Sequence, residues 1–295
     1  MYLQIFSKLL SESLLSLYPI FVKYINLPIG IQIWSRFFTY FIVSCLFING
    51  SFIIKNIFSI NGLLLSLVTM LHVYSSYRGF QILESGIAYV LFYTYPLMIL
   101  LLSGEKIHYV FIFALLGVIL LSQEKVDDNK NEGEDNKKEG EDNKKEGDIF
   151  KKKEVEQNFK YEGVLMILLA AFTEALIYFI VRNIKTNNHW NHLFISYGLG
   201  ALLMSFYFFK DIQNIKMSTT INISMLINLV LGLVGYLTRF YAITNLNVQL
   251  YSSLSYFGVL MAFIYGILIN KDIITLKKIL GSILIILPNI YLLFT

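Results

Sequence analysis

The chain has 295 residues, 56% of them hydrophobic and 16% aromatic, with a mean hydropathy of +0.61. That composition excludes a soluble domain of this length. The net charge of +4 conceals two regions: residues 123–161 hold 13 of the 20 acids and 10 of the 24 bases, which leaves a body with seven acids and fourteen bases. A single cysteine, Cys45, excludes a disulfide framework and a cysteine metal site.

Apolar runs of spanning length recur in chain order at 3–22, 31–49, 60–82, 86–103, 108–122, 162–181, 193–209, 221–243, 250–269 and 277–294. The run at 108–122 is short and spans only with little tilt. Together they predict an all-α membrane protein of about ten transmembrane helices, five on each side of the charged insert. The first run is not read as a cleavable leader, because no basic segment precedes it and Glu12 lies at its centre.

The stretch from Arg78 to Lys106 organises the first half. From Gly86 to Ser103 no residue is charged, and Pro96 removes a backbone donor inside that run. Lipid cannot satisfy the freed carbonyl, so neighbouring helices or a wet cavity must. A broken helix beside Tyr93, Thr94 and Tyr95 is expected there.

Three regions follow: a first five-helix half at 1–122, a linker at 123–161 and a second half at 162–295. The linker repeats EGEDNKK at 132–138 and 139–145 and is almost free of apolar residues, so it is expected to be disordered. The halves resemble each other. Arg78 aligns with Arg239, Ile82 with Ile243 and Tyr95 with Tyr256. Glu12 and Glu174 each sit in the first helix of a half, followed by Lys23 and Lys185 at equal spacing. Trp34 with Arg36 and Trp190 with His192 open the second helices. An odd number of spans per half sends the second half in from the opposite side, an arrangement of inverted repeats found in secondary transporters.

Taken together, Lys23, Arg36, the small polar turn at 84–86, Pro96, Gly104-Glu105 and Gly117 resemble the drug/metabolite transporter superfamily, EamA-type. In the second half Ala242 to Asn247, Ser252-Ser253, Gly266 and Gly281 carry the same order. Phe257-Gly258 stands where the family pattern places a proline. The resemblance implies cytoplasmic termini and an insert on the other side. It also brings in the small multidrug resistance transporters, which place one glutamate in the first helix of each of two antiparallel subunits.

Candidate site residues are Glu12, Glu174, His72, Arg78, Arg239, Tyr95, Tyr236 and Tyr256. A charge at bilayer depth costs roughly 2.5–3.5 kcal/mol, so both glutamates are expected to face a shared cavity. Carboxylates withdrawn from bulk water suit proton coupling or capture of a cationic amine. Arg78 and Arg239 are expected near opposite mouths of that cavity, to steer or gate. His72, Tyr95, Tyr236 and Tyr256 are expected to line it, and the glycines nearby to serve helix packing. His189 and His192 read as surface histidines of a connection.

The expected function is secondary transport of a small polar metabolite by alternating access, with proton coupling as an option. Alternatives are a lipophilic-cation exporter, a nucleotide-sugar or organic-phosphate exchanger, and a membrane scaffold whose insert recruits a partner. No catalytic, metal or cofactor constellation stands out, so an enzyme is not expected. The scattered bases argue against a nucleic-acid surface. The expected partners are a small-molecule substrate and the lipid bilayer, with monomer and homodimer both open.

Overall fold

A computed structural model describes residues 2–25, 27–83, 85–106, 109–122, 142–208, 219–270 and 276–294, with the backbone alone over 142–160. Every regular element among them is helical. The first half contains α1 (Tyr2–Leu15), α2 (Tyr18–Tyr24), α3 (Ile29–Cys45), α4 (Gly50–Asn56), α5 (Ile60–Ile82), α6 (Ser85–Phe92), α7 (Tyr95–Ser103) and α8 (Val110–Ser122). The second contains α9 (Asp142–Asn183), α10 (His189–Tyr207), α11 (Thr219–Asn245), α12 (Val248–Ser255), α13 (Phe257–Tyr265), a π-helical turn (Gly266–Asn270) and α14 (Leu276–Phe294). Among the described residues four segments are long and apolar enough by themselves to cross a membrane: Tyr2–Val22, Tyr161–Asn183, Asn222–Asn245 and Val248–Ile269. The helices α4 and α5 meet at 88° and make a fifth if counted as one span.

The distribution of polarity is that of a protein dissolved in lipid. Leu63, Leu67, Leu71, Leu165, Phe172 and Leu287 point outward, whereas Lys8, Glu12, Arg36, Glu174 and Arg239 are buried. Burying ions while exposing leucine is unfavourable in water and favourable in hydrocarbon. The chain is an integral, multi-pass membrane protein.

Two expected spans are broken near their middles. Between α6 and α7 the chain turns at Tyr93-Thr94, and Pro96 occupies the first turn of α7, where its missing N–H costs nothing. The equivalent break between α12 and α13 falls at Tyr256, without a proline. A third break, unforeseen in the sequence, separates α1 from α2 ahead of Pro19. The Ser16 carbonyl beside it accepts a hydrogen bond from Tyr89 Oη at 2.6 Å, so a neighbouring helix satisfies the freed group.

Packing pairs the halves with each other. The helix α5 lies along α9, and α11 lies along α1. The broken segments α6 and α7 pack on α9, and α12 and α13 pack on α1. Across the same bundle α3 pairs with α10, and α8 with α14, where Gly117 faces the Gly281 carbonyl. The pattern is thus the same with the halves exchanged. It departs from that symmetry at one seam: α5 packs closely on α10, but its counterpart α11 meets α3 along a shorter stretch.

The structure describes only the second part of the expected linker. Residues 123–141 lie outside the described residues. From Asp142 the chain is already helical and runs unbroken into the span, in place of the expected start at 162. Lys, Glu and Gln, which dominate 142–160, are good helix formers, and a rigid span below them supplies the nucleus.

Candidate substrate site at the centre of the bundle

Four buried charges from three helices meet between the halves. Lys8 and Glu12 stand one turn apart on α1, with Lys8 Nζ 2.6 Å from Glu12 Oε1. From α11, Arg239 Nη2 donates to the same Glu12 oxygen at 3.0 Å, and its Nη1 donates to Glu174 Oε1 on α9. One guanidinium therefore joins the first helix of one half to the first helix of the other. Two cations balance two carboxylates, which is what lets all four stay out of water.

Aromatic hydroxyls from the broken spans complete the shell. Tyr95 Oη donates to Glu12 Oε1 at 3.2 Å and Tyr93 Oη to Glu12 Oε2 at 3.3 Å. Both tyrosines flank the α6–α7 break, so the break delivers donors to the carboxylate. Lys8 Nζ lies 3.6 Å from the centre of the Tyr251 ring, a cation–π contact supplied by α12.

His72 on α5 faces Glu174. Its Nδ1 donates to the Ala170 carbonyl at 3.0 Å, which leaves Nε2 as the acceptor in the neutral ring. Tyr236 Oη lies 3.3 Å from that Nε2 and Glu174 Oε2 also lies 3.3 Å from it. Glu174 Oε2 has no hydrogen-bond donor among the described residues. A single added proton, on either atom, would turn this close approach into a hydrogen bond.

A second cation, Arg36 on α3, sits beside this network. Its Nη2 donates to Tyr197 Oη at 3.0 Å. The rings of Tyr18, Tyr40, Tyr77, Tyr197 and Tyr236 surround it, with centres 4.8–5.8 Å from its Cζ. Among the described residues no carboxylate pairs with it. A cavity of about 30 Å³ lies between the α1–α2 break, α3, α5, α6 and α11, with Arg36, His72, Tyr236 and Arg239 in its wall. That is room for a water or two, so the centre is closed in this conformation.

The structure brings together Glu12, Glu174, Arg239, His72, Tyr95 and Tyr236. It does not bring in Arg78, whose Nε and Nη2 grip the Glu162 carboxylate at 2.8 and 3.3 Å with both side chains about one-third exposed. Arg78 therefore stands apart from the expected mouth of the cavity, held by the start of the span in α9. Tyr256 is buried at the α12–α13 break against Phe111 and does not touch the charged network. His192 is corrected: it lies in the first turn of α10, fully buried, with Nε2 2.9 Å from the Ile184 carbonyl. The residues that the sequence did not single out for the site are Lys8 and Arg36, whereas Tyr251 is a further candidate beside Tyr256. The i,i+4 spacing of Lys8 and Glu12 was the available signal for the first. Arg36 looked like a helix-opening base, but α3 begins at Ile29, which carries it two turns inward.

Because the Arg78–Glu162 pair is partly exposed, Glu162→Gln is expected to cost only about 0–1 kcal/mol. A thermal melt of the variant in detergent, within a few degrees of the parent, checks this.

A helical bundle that hides its ions and shows lipid its leucines, with broken spans at a central charged site, defines a polytopic membrane protein built around an internal polar site. Residues 161–294 match the EamA-like transporter family, as the sequence resemblance leads one to expect. That match covers the second half of the chain and makes it similar to a family of membrane transporters. A solved crystal structure, described only as that of a protein, superposes with a TM-score of 0.65 at 14% identity, covering 97% of this chain and 95% of the other. The likeness shows a shared fold over both halves. No curated protein matches the sequence.

Proposed function

We propose that the protein is a secondary transporter of a small polar metabolite, working by alternating access between two inverted five-helix halves, about ten spans in all, with a proton as the coupling ion. The observation that carries this is the bridge of Arg239 from Glu12 in one half to Glu174 in the other, at a small cavity beside a broken helix. An ion bridge between halves is a bistable element, because rocking one half against the other must break or remake it. The closed centre then corresponds to an occluded stage of the cycle. The shorter contact of α3 with α11 marks the seam along which the site opens.

Proton coupling rests on the orphaned Glu174 Oε2 facing His72 Nε2. A proton taken up there satisfies a buried acceptor and releases charge from the Arg239 bridge. A lipophilic-cation exporter is less favoured, since both carboxylates already hold cations of the chain itself. In proteoliposomes with an imposed pH gradient, the parent is expected to show flux that follows the gradient. The Glu12→Gln, Glu174→Gln double variant is expected to lose that dependence. Unchanged transport and pH dependence in the variant would remove the coupling role.

A scaffold that recruits a partner through its insert is the reading from a different class. Deleting residues 124–160 separates the two, because a transporter keeps its flux and a scaffold loses its function.

A further inference from the structure

Arg36 is a buried guanidinium at 2% exposure, in a protein that neutralises its other central ions with care. Lys8 and Arg239 share Glu12 and Glu174, and Arg239 spans both. Arg36 has hydroxyls and aromatic faces only. Such groups soften the burial of a cation but do not cancel a unit charge. Of its donors, Nε has no partner among the described residues, although it is buried. Arg239 also leaves its Nε without a partner, but two carboxylates already balance it. The central site therefore carries one cation in excess. That cation lines the cavity, and the ring of Tyr236 lies between the two guanidinium groups, at 4.8 Å from Arg36 Cζ and 5.6 Å from Arg239 Cζ.

We propose that Arg36 is the anion-binding residue of the site, taking the carboxylate or phosphate of the transported molecule on its unoccupied Nε edge. The proposal rests on the transport reading and names the chemical class of the substrate. An arginine fork matches planar oxyanions through two parallel N–H bonds, which a lysine ammonium cannot reproduce. The surrounding tyrosines hold the guanidinium in place and supply further hydroxyl donors. Burial makes the interaction selective: an uncharged analogue leaves the excess cation unbalanced, so it binds more weakly than the acid.

The test uses the purified full-length chain in detergent, titrated with small carboxylates and phosphomonoesters, each paired with its amide or free alcohol. Thermal shift and calorimetry read the affinity. The acid of at least one series is expected to bind roughly tenfold or more tightly than its neutral partner. Whichever series binds identifies the group as carboxylate or phosphate. Arg36→Gln is expected to reduce the acid to the affinity of the neutral analogue, and Arg36→Lys to keep part of the preference. The comparison of acid with neutral analogue on the parent chain stands even if Arg36→Gln does not fold. Equal binding of acid and neutral partner, binding of no acid at all, or full acid affinity in a folded Arg36→Gln protein overturns the proposal. Arg36 then serves only as packing among tyrosines. Flux in proteoliposomes separates this from the transport reading. Acid-selective binding without flux keeps the site and removes the transporter. Flux with no preference for acids does the reverse.

Discussion

Arg239→Gln is expected to be the most damaging single change of charge in the protein. It leaves Glu12 with Lys8 as its remaining cation and leaves Glu174 facing only His72. Breaking a buried ion pair by removing one partner costs about 3–5 kcal/mol, because the survivor stays buried and uncompensated. The expected readout is a large fall in the thermal midpoint of the detergent-purified protein and in the yield of monodisperse material. Arg239→Lys should fall between, since one ammonium cannot reach both carboxylates as the fork does. Adding Glu174→Gln to Arg239→Gln should recover part of the loss, because it removes the charge left without a full partner. The two changes are therefore expected to be non-additive. An Arg239→Gln protein as stable as the parent would mean that the bridge does not hold the halves together.

The second large effect is expected at Gly258, at the start of α13. A methyl group there falls inside contact distance of Tyr93 Oη and 2.8 Å from Glu12 Oε2. Backbone of the second half thus sits directly on the hydroxyl that serves the carboxylate of the first. Gly258→Ala is expected to push Tyr93 off Glu12 or shift α13, at the roughly 1–3 kcal/mol typical of overpacking, and Gly258→Val more. Tyr93→Phe removes the most obstructing atom and should rescue part of the alanine variant, since Tyr93 Cζ and Glu12 Oε2 stay 2.8 Å from the added methyl. Thermal melts of the parent, the two single variants and the double variant make a cycle. Purely additive losses would show that the two groups are not in contact.

The absence of a proline near Gly258 has the same explanation. At the α6–α7 break, Pro96 ends one helix by removing a donor. At the α12–α13 break, the chain must approach a neighbour too closely for any side chain, so glycine is the residue that fits. Two different local devices produce equivalent breaks, which is why the second was hard to see in a sequence pattern built on the first.

What one dimension of sequence settled was whatever depends on composition and spacing along a single helix. The apolar runs specified helices and a membrane, since lipid admits no other open structure for such segments. Pro96 specified a break. Glu12 and Glu174 specified an inward face, because a lone carboxylate is too costly against acyl chains. Three-dimensional packing alone decided which charge meets which. Arg78 and Arg239 occupy aligned positions in the two halves, yet one is held by Glu162 near the surface and the other bridges the centre. Arg239 and Glu12 stand 227 positions apart, so nothing local links them. The depth of Arg36 likewise follows from where α3 starts and which tyrosines its neighbours present. Pairing is set by the rotation and depth of each helix in the bundle, and those are fixed by contacts among all of them at once.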